Sequence, residues 1–253
     1  RLWQGSSSSS QRAWARPPVP PMRYISASSS HALAVDMSGR GWSLGRGRCA
    51  GIALARPGRW QQWLPLDRRS CHVRLRAAEA GMYASILLDA HGGVWTCGDN
   101  SYEQLGLGVP CCTLPEQRKP RRLQGLPPMR TALGAFGLLA LVSDADELWL
   151  GGWCSPMLSS QPLYHSSGVK SVAISNYHIA ITRTDGTLWT AGYFPQDGKL
   201  ARVSHDPVRD GMQRTSHCGV QAVFACTLGT NRACTAWADA AGTWHWAGAS
   251  GLV

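Results

Sequence analysis

The sequence predicts an all-β fold of the β-propeller type, and three observations lead to that prediction. A tryptophan motif followed by glycine recurs five times along the 253 residues, with 40 to 55 residues between successive tryptophans. An apolar, strand-like segment precedes each motif. No segment between the motifs has a clean helical period, and the nearest candidate, RLRAAEAGM at 74–82, ends in glycine and methionine. Repetition at this period marks repeat architectures, and a propeller repeats a four-stranded blade.

Each motif is predicted to be the second strand of a hairpin. An Asp- or Gly-marked turn precedes the tryptophan, which indicates a tight turn between two strands. The ring can bury a large apolar area against the next unit, and the glycine allows a close approach of backbones. The copies are GRGWSLG (39–45), GGVWTCG (92–98), DELWLGG (146–152), DGTLWTAG (185–192) and AGTWHWAG (241–248). The repeat tryptophans are therefore assigned as Trp42, Trp95, Trp149, Trp189 and Trp244.

Two histidines recur at the same place in their repeats, one in HALAVD and one in HIAITR. A catalytic or metal-binding histidine would not be expected to recur in register. We therefore expect His31 and His178 to satisfy buried polar groups rather than to perform chemistry.

The segment VWTCGDNSYEQLGLG at 94–108 resembles the repeat signature of the regulator of chromosome condensation family. That signature runs apolar residue, Trp, two residues, Gly, an acidic residue, Asn and a Gln-Leu-Gly-Leu-Gly tail. One departure is Glu103, where the family usually has glycine. The matching positions are Trp95, Gly98, Asp99, Asn100, Tyr102, Gln104, Leu105, Gly106, Leu107 and Gly108.

The resemblance implies a propeller over residues 23–253, with a typical count of seven blades in the family. Five repeats are recognisable, and the signature is degenerate in four of them. Two further blades could be cryptic, the ring could close with five, or the chain could be an open arc or a fragment. Because the chain starts at Arg1 without methionine, we expect it to be part of a longer product.

Residues 1–22 form a separate segment that is rich in Ser, Arg and Pro and contains no acidic residue. Such composition resembles an organellar transit sequence, and it also fits a plain flexible linker. We therefore expect mitochondrial residence, with a nuclear or cytoplasmic location as the alternative. The longest apolar run, 133–142, has ten residues, which is short of the roughly 20 that a membrane span needs.

The net charge of +10 comes mainly from arginine, which supplies 22 of the 25 basic residues. An arginine-rich chain indicates an anionic partner such as RNA, although a solvated surface or an arginine bias in the genome gives the same composition. Two basic clusters are the candidate contacts for such a partner. Their members are Arg68, Arg69, Arg74, Arg76, Arg118, Lys119, Arg121 and Arg122.

Nucleotide-binding and metal-binding motifs are missing from the sequence. It holds no Walker A loop. None of the nine cysteines forms a C-x-x-C pair or a zinc-module spacing with histidine. We therefore expect no enzymatic activity, no cofactor and no metal.

The expected function is that of an interaction scaffold, because loops on a rigid propeller are well suited to binding. We expect protein subunits of a larger assembly as partners, with a mitochondrial ribonucleoprotein as the favoured assembly. The family resemblance implies an alternative, a guanine-nucleotide exchange factor for a small GTPase. It also implies a third reading, a light sensor that uses clustered tryptophans, as in the photoreceptor member of the family.

Overall fold

Five small antiparallel sheets follow one another along the chain, and we call them blades 1 to 5. The computed structural model describes residues 19–45, 60–62, 73–108, 113–152, 164–176, 178–192, 213–228 and 232–248. Blades 1 to 4 have four strands each, and blade 5 has three within the described residues. Helices are absent from these ranges. The all-β prediction is therefore confirmed.

In each blade the strands pair in chain order from the inside of the molecule outwards. Blade 1 contains β1 (Met22–Ala27), β2 (His31–Asp36), β3 (Gly41–Gly45) and β4 (Gln61–Gln62). Blade 2 contains β5 (Leu75–Ala80), β6 (Ala84–Asp89), β7 (Val94–Asp99) and β8 (Glu116–Arg122). Blade 3 contains β9 (Met129–Ala135), β10 (Leu138–Ser143), β11 (Leu148–Gly152) and β12 (Tyr164–Ser166). Blade 4 contains β13 (Val169–Ile174), β14 (His178–Arg183), β15 (Leu188–Gly192) and β16 (Gln213–Arg214). Blade 5 contains β17 (Ala222–Leu228), β18 (Arg232–Ala238) and β19 (Trp244–Gly248).

The hydrophobic core lies between the blades. One buried cluster joins blades 1 and 2 through Leu33 and Trp95, and a second joins blades 2 and 3 through Ile86. A third joins blades 3 and 4 through Leu150, and a fourth joins blades 4 and 5 through Trp237. Every blade therefore depends on its neighbour to cover an apolar face, as expected for stacked repeats.

The innermost strands β1, β5, β9, β13 and β17 pack against one another in that order. Within the described strands, no packing of similar extent joins β17 or β18 to β1. The five blades therefore form a propeller arc around a common axis.

Long polar side chains near the start of the inner strands form hydrogen bonds to the next blade. Together these bonds make an interblade ladder. The guanidinium of Arg23 donates to a backbone carbonyl of the next blade at 2.7 Å, and that of Arg130 does the same at 2.7 Å. Because guanidinium stays charged and presents several donors, it can satisfy carbonyls at the end of a sheet. The bonds run from Arg23 to Leu75, from Arg76 to Met129, from Arg130 to Val169 and from Lys170 to the Gln221 side chain.

The glycine that follows the repeat tryptophan of blade 2 has a steric reason. Gly98 pairs with Ala84 and has a φ of 116°, a value that side chains rarely adopt. A Cβ on Gly98 would lie 2.4 Å from the carbonyl oxygen of Tyr83. The neighbouring hairpin therefore has no room for a side chain at this position.

In blades 1 and 2 the repeat tryptophan is fixed by the aspartate six residues before it. The indole Nε1 of Trp42 donates to Asp36 at 3.0 Å, and that of Trp95 donates to Asp89 at 3.1 Å. The same aspartates cap the hairpin turn; Asp89 Oδ1, for example, accepts the backbone N–H of Gly93 at 2.8 Å. A single carboxylate therefore holds both the turn and the ring.

Blade 4 replaces this pair with another arrangement. The aspartate position is occupied by Arg183, whose guanidinium lies 4.5 Å from the ring centroid of Trp189. The Trp189 Nε1 donates to Thr187 Oγ1 at 2.8 Å. A cation–π contact thus holds the ring where the carboxylate is missing.

The assignment of Trp244 as the fifth repeat tryptophan requires correction. The register of β18 with β19 pairs Cys234 with Gly248, so the position three residues before that glycine belongs to His245. The Nε2 of His245 lies 2.9 Å from Asp239, as the indole does in blades 1 and 2. In the sequence, Trp244 and Trp246 flank His245. Only the strand register shows which of the three residues occupies the repeat position.

Candidate protein-interaction site

An axial cavity of about 320 Å³ opens where the inner strands end. All five blades contribute to its wall, which consists mostly of small side chains and hydroxyls. Representative lining residues are Ser28 of blade 1, Met82 of blade 2, Ala135 of blade 3, Ser175 of blade 4 and Ala225 of blade 5. One end of the propeller therefore has a shallow polar centre surrounded by loops between the first and second strands.

Three aromatic rings from separate loops meet beside this cavity. The rings of Tyr83 and Phe136 lie 6.0 Å apart in an edge arrangement, and those of Tyr102 and Phe136 lie 5.1 Å apart. Tyr83 follows Met82 and Phe136 follows Ala135, so the cluster adjoins the cavity wall directly. Tyr83 and Tyr102 remain 42% and 38% exposed. We call Tyr83, Tyr102 and Phe136 the aromatic rim.

The loop that carries Tyr102 is held by the side chains of the family signature. Asn100 donates to the carbonyl of Leu114 at 2.9 Å and accepts the backbone N–H of Leu105 at 3.2 Å. The side-chain Oε1 of Gln104 accepts the Tyr102 backbone N–H at 2.9 Å. These buried amides fix the loop from inside, so the exposed Tyr102 ring projects from a rigid base.

The signature loop also contains backbone strain. Glu103 has a φ of 60°, in the left-handed region that favours glycine. The departure from the family signature at this position therefore replaces a permissive residue with a strained one. Asp99 braces the preceding turn, because its Oδ1 accepts the Ser101 N–H at 2.7 Å.

The two recurring histidines each join a pair of neighbouring blades. The Nε2 of His31 lies 2.9 Å from the Ser85 hydroxyl in blade 2, and that of His178 lies 2.9 Å from the Thr235 hydroxyl in blade 5. Burial lowers the pKa of His31 to about 4. At neutral pH the His31 ring is therefore uncharged and acts as a fixed hydrogen-bonding link.

A carboxylate completes the polar contact between blades 1 and 2. Glu79 accepts hydrogen bonds from the hydroxyl of Tyr24 and, at 2.7 Å, from the hydroxyl of Ser26. Burial and the neighbouring Glu79 carboxylate raise the pKa of Tyr24 well above its usual value. Tyr24 therefore keeps its proton over the physiological range, which makes its hydrogen bond to Glu79 a structural contact.

The predicted basic contacts separate into different environments. Arg118, Lys119, Arg121 and Arg122 are exposed on β8, the outer strand of blade 2. Arg118 makes a 3.6 Å ion pair with Glu116. Charges and a proline are also typical of an edge strand that is protected against pairing with another chain. We call these four basic residues the β8 cluster. Their position is explained by protection of the edge strand as well as by contact with an anionic partner.

The other predicted cluster is not assembled in one place. Arg74 is exposed, but Arg76 is partly buried and its guanidinium donates to the carbonyl of Met129. Arg68 and Arg69 lie outside the described residues. Of the predicted basic contacts that the structure describes, Arg74 and the four basic residues of β8 therefore face solvent.

The aromatic rim was not predicted from the sequence. Tyr83 and Phe136 are single aromatics in short loops and belong to no motif, so only the three-dimensional arrangement reveals their contact. Over the described ranges, no group of three or more His, Cys, Asp or Glu side chains could hold a metal ion. The same ranges contain no helix long and apolar enough to cross a membrane.

Comparisons with known proteins agree with this architecture. The profile of the regulator of chromosome condensation (RCC1) repeat matches residues 91–141. The structure resembles human WBSCR16, with a TM-score of 0.75 and 18% identity over 92% of this chain and 64% of that chain. It also resembles Prp20p from Saccharomyces cerevisiae, with a TM-score of 0.66 and 14% identity over 95% of this chain and 59% of that one. The chain is an RCC1-like repeat protein.

A curated relative of this RCC1-like chain is the human protein described as probable E3 ubiquitin-protein ligase HERC6. The two are 26% identical over 203 residues, which cover 72% of this chain and 19% of HERC6. The RCC1-like chain thus spans about a fifth of the length of that relative. The propeller predicted from the repeats is confirmed.

Proposed function

We propose that this RCC1-like chain is a non-enzymatic scaffold and that a partner protein binds to its aromatic rim. The observation that carries the proposal is the meeting of Tyr83, Tyr102 and Phe136 from three loops, with both tyrosines exposed. Tyrosine offers a large contact area and a hydroxyl while losing few rotatable bonds on binding. The rim is also preorganised, because buried amides fix one of its loops.

Substitution in the rim tests this proposal. The double variant Tyr83→Ser, Tyr102→Ser should reduce the yield of co-purified partner proteins at least about tenfold, since aromatic anchors dominate binding energy at interfaces. Met37→Ser is the matched control, because Met37 is a 66% exposed apolar residue in the β2–β3 turn, away from the rim. The readout is quantitative mass spectrometry of tagged chains at equal expression. Undiminished recovery with the rim variant would contradict the proposal.

In a narrower form, we propose that the assembly is a mitochondrial ribonucleoprotein that contains RNA. The arginine excess, the acid-free residues 1–22 and the exposed basic residues of β8 support this form. A nuclear or cytoplasmic location is the alternative, and it is supported by the resemblance to Prp20p, whose structure was described together with binding to Gsp1p and histones.

Gradient sedimentation of the affinity-purified assembly distinguishes a mitochondrial ribonucleoprotein from a nuclear or cytoplasmic complex. Co-sedimentation with a fixed set of mitochondrial subunits, lost after RNase treatment, is the expected result for the ribonucleoprotein. Recovery with nuclear or cytosolic proteins in an RNase-resistant fraction would contradict that narrower form and leave the rim proposal intact.

The second candidate function is guanine-nucleotide exchange on a small GTPase. The RCC1-type repeat and the fold likeness to Prp20p favour it. An exchange factor binds its GTPase most tightly when the nucleotide is absent. Recovery of one GTPase that is released by added GTP would support exchange, whereas a partner set unaffected by GTP supports the scaffold.

A further inference from the structure

Two rings of the aromatic rim are steeply inclined to the third. The Phe136 ring is half-buried, and the rings of Tyr83 and Tyr102 lie at 68° and 59° to it. Rings at such angles do not stack in parallel, and both tyrosines are exposed, so part of their π surface is open to a ligand. The face of an aromatic ring carries partial negative charge and attracts ammonium and guanidinium groups. The rim can therefore hold a cation.

Two carboxylates flank the rim. Asp99 lies beside Tyr83, because its backbone N–H donates to the Tyr83 carbonyl at 2.9 Å, and Glu103 directly follows Tyr102. Asp99 Oδ1 accepts hydrogen bonds from the backbone and the hydroxyl of Ser101, which hold the turn. Within the described part of the chain, no basic side chain lies within ion-pair distance of Asp99 or Glu103. Both negative charges are therefore available to a ligand at the rings.

The charge beside the rim is opposite in sign to that of the whole chain. The chain carries a net charge of +10, whereas the three loops of the rim contain one charged residue, the acidic Glu103. A further carboxylate, that of Glu116, lies opposite Asp99 on β8, and Arg118 offsets its charge at 3.6 Å. An acidic patch with open aromatic faces favours a cationic ligand, since complementary potentials steer and select partners. The three loops are 81–83, 100–108 and 136–137.

We propose that the aromatic rim binds the ammonium group of a lysine in a basic segment of the partner protein. The ammonium lies against the open tyrosine faces, and the carboxylates of Asp99 and Glu103 complement its charge. The steep angles between the rings suit a compact ammonium better than a planar guanidinium, which stacks best on one flat ring. This inference rests on the proposed function, because it states which chemical group occupies the rim when the partner is bound.

Removal of the two charges tests the inference separately from the proposed function. The double variant Asp99→Asn, Glu103→Gln keeps all three rings, and its amide oxygens can still accept the hydrogen bonds of the turn. Recovery of the co-purified partner should fall about fivefold or more, because the ammonium loses its charge complement. Asp144→Asn is the matched control, since Asp144 is an exposed carboxylate in the β10–β11 turn, at the other end of the strands. Its recovery of the partner should equal that of the wild type.

The outcome that overturns the lysine contact differs from the one that overturns partner binding at the rim. Full recovery with Asp99→Asn, Glu103→Gln, together with loss of the partner in Tyr83→Ser, Tyr102→Ser, would overturn the lysine contact and leave the rim as the binding site. Full recovery with both double variants would overturn both. Equal losses in Asp99→Asn, Glu103→Gln and in the Asp144→Asn control would show a general charge effect and overturn the lysine contact.

A defined peptide pair tests the chemistry without the partner. The probe is a fluorescein-labelled lysine peptide in a Gly-Ser background, and its match is the same peptide with acetylated lysine, which has no positive charge. In fluorescence anisotropy with the purified chain, the lysine peptide should bind about tenfold more tightly than the acetylated one. Equal affinities, or no binding of the lysine peptide at about 1 mM chain, would overturn the proposal.

Two substitutions of one tyrosine decide whether the ring face itself is needed. Tyr102→Phe should bind the lysine peptide as the wild type does, since phenylalanine keeps the π face. Tyr102→Leu should bind it about fivefold more weakly, because leucine keeps an apolar contact without a π face. Equal binding by these two variants, with native circular dichroism in both, would mean that the contact is only apolar and would overturn the proposal.

Discussion

At the scale of single residues, Glu103 has the least favourable backbone conformation in the signature loop. Its φ of 60° lies where the family signature has glycine. We predict that Glu103→Gly raises the free energy of unfolding by about 1 kcal/mol, because a left-handed conformation is strained for a residue with a Cβ. Urea denaturation measures the change. Asp146→Gly is the control, since Asp146 also has a φ of 60° but would lose its 2.8 Å contact with Arg130. Equal gains in both variants would contradict this account.

His31 is predicted to make stability depend on pH. Its pKa is lowered from 6.5 to about 4 by burial, so the unfolded chain takes up the proton more readily than the folded one. The stabilisation is complete above pH 6.5 and declines as the pH falls towards 4, by up to about 3 kcal/mol. His31→Gln keeps polar groups at the site without titrating. The free energy of unfolding should fall less steeply between pH 7 and pH 4.5 in this variant than in the wild type, and parallel curves would refute the assignment.

At the scale of strands, two neighbouring arginines of blade 2 should behave differently. Arg76 donates to the carbonyl of Met129 across the blade interface, whereas Arg74 is exposed. We predict that Arg76→Met lowers the free energy of unfolding by about 1.5 kcal/mol, since hydrogen bonds from charged groups contribute about that much. Arg74→Met should change it by less than about 0.5 kcal/mol. Equal effects in urea titrations would mean that the interblade ladder has no energetic role.

Two glycines with positive φ provide a second strand-level comparison. A Cβ at Gly98 would lie 2.4 Å from a backbone oxygen, whereas a Cβ at Gly125 would have no atom within 4 Å. We predict a loss of about 3 kcal/mol or more for Gly98→Ala and of about 1 kcal/mol for Gly125→Ala, where only the backbone conformation is unfavourable. Thermal melts of both variants decide the matter. A similar loss in each would mean that the tight packing of hairpins at Gly98 is not rigid.

Sequence periodicity was sufficient for the fold but not for the register of every repeat. Because turns and alternating strands repeat locally, five hairpins could be located without a structure. In blade 5, tryptophans flank His245, and only the pairing of Cys234 with Gly248 identifies the repeat position. The segment 74–82, which comes nearest to a helical period, contains β5 because the neighbouring blades cover its alanines.

The functional surface was harder to predict than the fold for a physical reason. Basic clusters are visible in a sequence, yet Arg76 proved to be engaged between blades while the β8 cluster lies on an edge strand. The aromatic rim combines Tyr83, Tyr102 and Phe136 from three loops in two blades. Contacts between loops of different repeats follow from the propeller geometry and leave no local signal in the sequence.

At the scale of the whole molecule, the arc has surfaces with different roles. The blade interfaces contain the apolar clusters, and the aromatic rim adjoins one side of the axial cavity. In this account stability comes from contacts between successive blades, whereas partner binding uses loops that those contacts hold in place.

Hydrogen–deuterium exchange of the chain, alone and with its co-purified partner, tests the central claim most directly. The account predicts slower exchange on binding in the loops 81–83, 100–108 and 136–137, which carry the aromatic rim. Exchange in the β2–β3 turn at 37–40 should be unchanged, since that turn lies at the other end of the strands. Protection confined to β8, with the three rim loops unaffected, would contradict the account and assign partner binding to the basic edge strand.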